Sequence, residues 1–521
     1  SIAYFKLLLV RKRGPPQFSR IEFQNMRDGF ILAGLLISQI LTGATAAAGQ
    51  DAAEKPTHSP RGKWEGNASP NIVLILTDQQ HAGMLSCAGN PWVKTPNMDR
   101  IAAGGARFER AYCSNPVCVP SRFSMFTGVM PSVIGMEDNS EIENPVPSDI
   151  LFHAMGNIFR RAGYVTAYAG KTHLPGQPGV INSSEAYGFK FLTPTDYYGR
   201  EETVLASEAF LGQPHQSPFL LVVSLFNPHD ICHMALNAFK RHAGQPIVDG
   251  PEQDFLAAAM RRPDGVSEEE FFRKYCPPLP SNFEIPKDEP EALYYKDSVD
   301  FRSYTREHWT ERDWRLHRWA YARLVEVADA QVGRVLDALQ RSGLEENTLV
   351  VFTSDHGDND AAHRLEHKDM PYEESIRVPL LVGGKGFAVP GSVDREHMVS
   401  TGLDLIPTLC DYAGIPVPAS LQGRSVKPLA RKAEAGDWRK FLAIESRNAR
   451  FLHAGRFKYV IYGNGKNREM LMDLENDPGE MKNFRRDPNS VMQLNSGRAN
   501  LKEWYQKHDL KLDPKYIEPS L

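Results

Sequence analysis

The apolar positions along the chain fall into two kinds of pattern. Asn71–Thr77 (NIVLILT) and Pro218–Asn227 (PFLLVVSLFN) are apolar at nearly every position, as are the shorter Tyr164–Gly170, Thr348–Thr353 and Val378–Val382. Runs without alternation belong to strands covered on both faces, as in parallel sheets flanked by helices. Helical spacing appears between them at Asn97–Gly104, Leu151–Ala162 and His317–Arg341. In the last, Trp319, Leu324, Val327, Ala328, Val332, Val335, Leu336 and Leu339 lie near one stripe, and Ser342-Gly343 ends it. Strands alternating with helices predict an α/β fold on a large, doubly wound, mostly parallel sheet.

Residues 240–315 interrupt this rhythm with Pro, Glu and aromatic residues and little strand signal. They read as a variable insertion over the active face, a common home for specificity. Beyond Pro428 the pattern becomes short strands at Phe441–Glu445, Ala449–His453, Arg456–Tyr462 and Glu469–Asp473, then a helix near Ser490–His508. That predicts a main domain over 70–428 and a smaller C-terminal subdomain over 429–521, an antiparallel sheet plus a helix.

The N-terminal region stands apart. Residues 1–25 hold the cluster Arg11-Lys12-Arg13 and no periodicity. From Met26 come Arg27, an apolar run of about 14 residues from Gly29 to Thr42, and Ala44-Thr45-Ala46. This is the pattern of a secretory signal, and it falls short of the roughly 20 residues that a membrane span needs. The expectation is an exported protein, periplasmic or secreted, with no stable membrane association after cleavage. Residues 1–46 then lie outside the mature fold and 47–69 form a linker. An uncleaved anchor is the other reading.

Composition narrows the class. The 521 residues carry 60 Lys+Arg, 64 Asp+Glu and six Cys, with 41% apolar. This excludes a disulfide scaffold and gives no basic footprint for nucleic acid. Without residues 1–46 the balance is 54 basic against 62 acidic. Such a chain must gather its positive charge locally to hold an anion.

Candidate chemistry collects at strand ends, where open α/β sheets bind ligands. Four of the predicted strands are followed by Asp78-Gln79, Lys171-Thr172-His173, Pro228-His229-Asp230 and Asp355-His356-Gly357-Asp358. Asp78, Gln79 and Asp355 offer hard oxygen donors suited to Ca²⁺ or Mg²⁺. Lys171 and His173 bring charge and donors to an anion. In Cys118-Val119-Pro120-Ser121-Arg122, Pro120 suits a first helical turn and Cys118 lies at its N-terminus, where free amides favour an anion. Arg122 lies one turn on. A buried Cys in a capped helix and a thiolate nucleophile with a nearby His both fit this segment.

Cys118-Val119-Pro120-Ser121-Arg122 resembles the C-x-P-S-R signature of the type I, formylglycine-dependent sulfatases of the alkaline phosphatase superfamily. NIVLILTDQQ, TPNMDRIAAGGARFERAYCSNPVC, GVMPSVIGM, AYAGKTHL, FTSDHGD, HKDMPYEESIRVPLLV and LMDLENDPGEMKNF are similar to further segments of that family, in order from Ser69 to Phe484. The resemblance implies a sulfuric ester hydrolase. It implies that a separate maturation enzyme oxidises Cys118 to formylglycine, whose hydrate attacks sulfur with the help of a divalent metal. It implies Asp78, Gln79, Cys118, Asp355 and His356 around the metal and Arg122 beside residue 118. It further implies that Lys171, His173, His229 and Lys368 hold the sulfate, the last two also serving the leaving oxygen.

Two departures bear on this. Many members have Asp-Asp at Asp78-Gln79 and Asp-Asn at Asp355-His356. Phosphonate monoester hydrolases and choline sulfatase-like enzymes are similar to this chain there, so a phosphonate or phosphate diester hydrolase of the same superfamily and a choline sulfatase-like enzyme stay open as alternatives. Ca²⁺ is the expected metal. Mn²⁺, Mg²⁺ and Zn²⁺ are alternatives, since a His nitrogen suits Mn²⁺ or Zn²⁺ better than Ca²⁺. The expected substrate is a sulfated carbohydrate or polysaccharide. His363 and His367 read as solvated loop residues. Asp230 either orients His229 or caps a turn. Trp309, Trp314 and Trp319 read as helix core, and five Cys as bystanders.

Overall fold

Between Ile72 and Leu76 every side chain is fully buried, as it is between Phe219 and Val223. Such strands need cover on both faces, and the fold supplies it. The computed structural model describes residues 69–176, 184–193, 199–294 and 300–517. The expected signal and all of the linker before Ser69 lie outside the described residues.

Fourteen strands occur among them: β1 (Asn71–Asp78), β2 (Ala106–Phe108), β3 (Ala111–Tyr112), β4 (Val165–Gly170), β5 (Lys190–Phe191), β6 (Phe219–Pro228), β7 (Thr348–Ser354), β8 (Leu380–Gly383), β9 (Ser392–Asp394), β10 (Val399–Ser400), β11 (Leu442–Ser446), β12 (Ala449–Ala454), β13 (Phe457–Tyr462) and β14 (Glu469–Asp473). Eight form the main sheet in the order β5-β4-β6-β1-β7-β8-β2-β9. Its centre, β4-β6-β1-β7, is parallel. Helices cover both faces, so the protein is α/β with a large, mostly parallel sheet and a smaller antiparallel one.

One strand runs against expectation. The apolar run at Val378–Val382 becomes β8, antiparallel to β7, with Leu380 paired to Thr353. The chain leaves β7 at its carboxyl end, stays there through the candidate site, and re-enters from that edge. A parallel strand would need a crossover back to the other edge.

The helical segments also shift. Leu151–Ala162 splits into Ser148–Phe152 and Met155–Arg161. The long helix begins at Glu311, six residues before His317, because Thr310 and Asp313 form a capping box. The insertion is more helical than its composition suggested, with helices at Pro251–Ala259 and Asp300–His308.

The second sheet, β11-β12-β13-β14, alternates cleanly. Tyr459 and Ile461 of β13 pack with Leu494, Leu501 and Trp504 of the helix Val491–Lys507. Val460 and Tyr462 join the core of the main sheet. This period of two makes the four-stranded sheet the floor for one helix and a wall for the large core. No described helix is long and apolar enough to cross a membrane. None of the six cysteines is paired.

Candidate active site

The site forms where β1, β4, β6 and β7 end, and local sequence fixes each delivery. Asp78 closes β1. Lys171 follows β4 through Gly170, which has φ of 96° and whose Cβ would lie 2.1 Å from the Ser224 carbonyl oxygen. No other residue fits there. Pro228 closes β6 and leads into the turn His229–Ile231. Asp355 and His356 follow β7. At Gly357 a Cβ would meet the Glu374 carbonyl at 1.9 Å, so this turn also needs glycine. The helix Cys118–Thr127 points its N-terminus, and Cys118, at this edge.

Arg122 lies at the centre of the arrangement, fully buried. Its Nη2 donates to Asp78 Oδ2 at 3.0 Å and its Nε to Asp355 Oδ2 at 2.8 Å. Its Nη1 donates to the Lys171 carbonyl at 3.0 Å and to Ser224 Oγ at 2.8 Å. Asp355 Oδ1 accepts from the amides of Gln79 and His356. Lys171 Nζ stands 2.7 Å from Asp78 Oδ2.

Around the Cys118 thiol stand Lys368 Nζ at 2.8 Å, His356 Nε2 at 3.2 Å, Asp78 Oδ1 at 3.7 Å and Lys171 Nζ at 3.8 Å. His173 and His229 also hydrogen-bond it. Burial alone would push the thiol up. The charges of Lys171, Lys368 and His356 outweigh that and hold it well below the usual cysteine range. Burial and the neighbouring Lys171 lower His229 to about 3, so it is neutral here. The Sγ atom stands where formylglycine oxygens would be.

Asp78, Cys118, Asp355 and His356 bring their donor atoms within 4.8 Å of one another, all buried. The set fits a divalent cation. His356 Nδ1 lies 2.9 Å from the Gly357 carbonyl, which can only accept. That sets the proton of a neutral His356 on Nδ1, so a cation that displaces the second proton would meet the Nε2 lone pair.

Gln79 is placed differently from the expectation. Its φ is 72°, and its carboxamide contacts Asp358 at 2.6 Å, His367 Nδ1 at 3.4 Å and the Cys232 thiol at 3.0 Å. Its backbone amide, not its side chain, serves the cluster. Cys232 also contacts His367 Nδ1 at 2.9 Å. It therefore borders the site rather than standing apart from it, which its sequence neighbours give no sign of.

Other expectations change too. His363 is fully buried and stacked on Tyr372 at 3.7 Å, and His367 is partly buried, so neither is a solvated loop residue. Asp230 neither orients His229 nor caps a turn by itself. It forms a buried ion pair with Arg200, whose guanidinium lies 4.2 Å over the Phe226 ring. Trp314 and Trp319 are core, as read. A second group, His363, Glu374 and Glu480, also brings donor atoms together. The Lys458 ammonium already stands beside Glu480, and beside Glu373 just outside the group.

A buried cysteine at a helix N-terminus, ringed by cations and two carboxylates at the edge of a parallel sheet, defines a hydrolase of anionic esters. The chain belongs to the sulfatase family: that family's model matches residues 70–415, and the model described as N-sulphoglucosamine sulphohydrolase, C-terminal, matches 361–507. It is a sulfuric ester hydrolase. This family implies a formylglycine made from the cysteine, and a divalent metal.

Among relatives, the chain is 28% identical over 458 residues to a Delta 4,5-hexuronate-2-O-sulfatase of Bacteroides thetaiotaomicron, covering 84% of this chain and 89% of that one. It is 29% identical over 442 residues to a choline-sulfatase of Rhizobium meliloti, covering 80% and 83%. A solved 2-O GAG sulfatase superposes with a TM-score of 0.71 at 27% identity, covering 86% of this chain and 96% of that one. A phosphonate monoester hydrolase of Agrobacterium radiobacter shares the fold, with a TM-score of 0.65 at 21% identity over 86% and 97%.

Proposed function

We propose that this protein hydrolyses a sulfate ester on a carbohydrate, using formylglycine made from Cys118 and a cation held by Asp78, residue 118, Asp355 and His356. The observation that carries this is the ring of Lys171, Lys368, His173, His229 and His356 around one buried thiol beside two carboxylates. When present, the formylglycine hydrate supplies an oxygen nucleophile and the cation makes that oxygen acidic.

The protein's own residues do the rest. Arg122 holds Asp78 and Asp355 at a fixed separation. Lys171, His173, His229 and Lys368 direct donors at the sulfate oxygens, where negative charge gathers. His229 is only partly buried, whereas Lys171 is 1% exposed. With Lys368, His229 is assigned to the leaving oxygen, to which its neutral ring can offer an N–H. The His356 nitrogen supports Mn²⁺ over the Ca²⁺ expected from the acidic donors. Gln79 would join the metal only by turning its Oε1 away from Cys232.

The similarity to sulfatases named for hexuronate and for N-acetylglucosamine supports a sulfated sugar. The signal-like segment at Met26–Ala46 supports export, and a maturation enzyme is the implied partner. The layout carries over as a catalytic domain at 70–428 and a C-terminal subdomain at 429–521. The test is sulfate release by formylglycine-bearing protein from a panel of defined sulfated saccharides, with choline sulfate and a phosphonate monoester alongside. Release from one or more saccharides above both others is expected. Preference for choline sulfate or the phosphonate would overturn the carbohydrate reading.

A further inference from the structure

The segment that carries Lys368 bends through strained turns that its own backbone bonds close only in part, as from the Asn359 amide to the His367 carbonyl at 2.8 Å and from the Ala361 amide to the Leu365 carbonyl at 3.0 Å. Six non-glycine residues between Asp360 and Asp369 have positive φ: Asp360 at 45°, Ala361 at 72°, His363 at 57°, Arg364 at 51°, His367 at 72° and Asp369 at 70°. L-residues disfavour this region, so such a run persists only where its surroundings impose it. Yet Lys368 Nζ must stand 2.8 Å from the reacting residue.

One element of the insertion adds anchors from outside, beside the Asn282 and Pro116 carbonyls, which accept from the His363 and Asp369 amides at 2.7 and 3.1 Å. From the helix Asp300–His308, Arg302 Nη2 donates to the Lys368 carbonyl. Thr305, fully buried, donates to Glu366 Oε1 at 3.2 Å. Arg306 Nε donates to the Arg364 carbonyl at 3.2 Å, and its Nη2 to the His363 carbonyl at 3.0 Å. Phe301 sets its ring 5.5 Å from that of His367. Arg306 is itself held in a buried, two-pronged pair with Glu289, at 3.0 and 3.3 Å. Glu289 also accepts from Tyr372 Oη at 2.8 Å. Three carbonyls of the strained segment are thus met by two arginines from outside it, and a planar guanidinium can serve two of them at once.

We propose that Arg306, fixed by Glu289 and seconded by Arg302, is a positioning residue that holds Lys368 against the sulfate and leaving oxygens. The insertion then does more than shape a substrate cleft: it completes the catalytic machinery. The inference rests on the role given above to Lys368, and its test separates the two.

Arg306→Lys keeps the charge but loses the fork, and Arg302→Ala removes a single donor. Each is matured to formylglycine and checked by thermal unfolding. Each is then assayed on sulfate esters of falling leaving-group acidity, from 4-nitrophenyl sulfate to a sugar sulfate, with Lys368→Ala in parallel. A displaced Lys368 fails the poor leaving groups first. The expected result for Arg306→Lys is a fall in kcat of about tenfold to a hundredfold on the sugar sulfate, with KM little changed and 4-nitrophenyl sulfate largely spared. Arg302→Ala should show the same slope to a smaller degree, and keeps the test open if Arg306→Lys does not fold. Lys368→Ala should show it most steeply. Equal losses on every ester in the folded arginine variants, or none, overturn the positioning role while Lys368→Ala stays steep. A flat response in Lys368→Ala overturns the reading of Lys368 itself, and the proposal with it.

Discussion

Replacing Arg122 by alanine removes the guanidinium that hydrogen-bonds both site carboxylates. Arg122, Asp78 and Asp355 are all fully buried. The change deletes two charge-assisted bonds, at 3.0 and 2.8 Å, and leaves the Lys171 carbonyl and Ser224 Oγ each short of a donor. Asp78 keeps Lys171, and Asp355 keeps two backbone amides. Breaking a buried ion pair by removing one partner costs about 3–5 kcal/mol, because the charges left behind stay buried. At roughly 2.1 cal/mol/K of unfolding entropy per residue, a cooperative unit of about 450 residues loses about 1 °C in Tm per kcal/mol. The expected drop is therefore about 3–5 °C in metal-free protein. Arg122→Lys, which can reach one carboxylate, should lose about 1.5–3 kcal/mol, the worth of a single hydrogen bond to a charged group. Saturating Mn²⁺ should narrow both gaps, since the cation neutralises the same carboxylates. The assay is calorimetric unfolding of chelator-treated and Mn²⁺-loaded protein. A metal-free loss below about 1 kcal/mol for Arg122→Ala, the range of an exposed pair, would refute the reasoning.

Further outcomes follow from the same geometry. Cys118→Ala should abolish turnover in a protein that still folds; retained turnover would assign the nucleophile elsewhere. Gly170→Ala forces a Cβ to within 2.1 Å of a carbonyl oxygen; it should cost about 2–4 kcal/mol and lower kcat by displacing Lys171, and unfolding at wild-type denaturant contradicts it. Burial and the neighbouring Glu373 and Glu374 push Glu480 up to about 8, against the pull of Lys458. The folded state then binds a proton that the unfolded state releases, so stability present below about pH 4.5 is lost as pH rises through about 8. Glu480→Gln should flatten that decline in denaturant titrations across pH 5 to 8, and an unchanged slope counts against the assignment.

Much of the architecture is legible in the chain because its central strands are buried on both faces. Ile72–Leu76 and Phe219–Val223 show unbroken apolar runs for that reason. The polar residues just past them are readable as a site for the same cause, since a sheet edge is where such groups can gather. An apolar run carries no direction, so the antiparallel course of β8 is invisible. The early start of the long helix is marked in the sequence by Thr310 and Asp313, a capping signal outweighed by the aromatic character of the insertion. The side-chain partners of Gln79 depend on its left-handed backbone and on Cys232, 153 residues away. The bonds from Arg302 and Arg306 to the segment that carries Lys368 likewise join residues some 60 positions apart, across strained turns that no local pattern announces.

The most direct test of the central claim is mass spectrometry of the Cys118 peptide from protein that releases sulfate. The account predicts formylglycine at position 118 in proportion to turnover. Full turnover with an unmodified thiol there would contradict it.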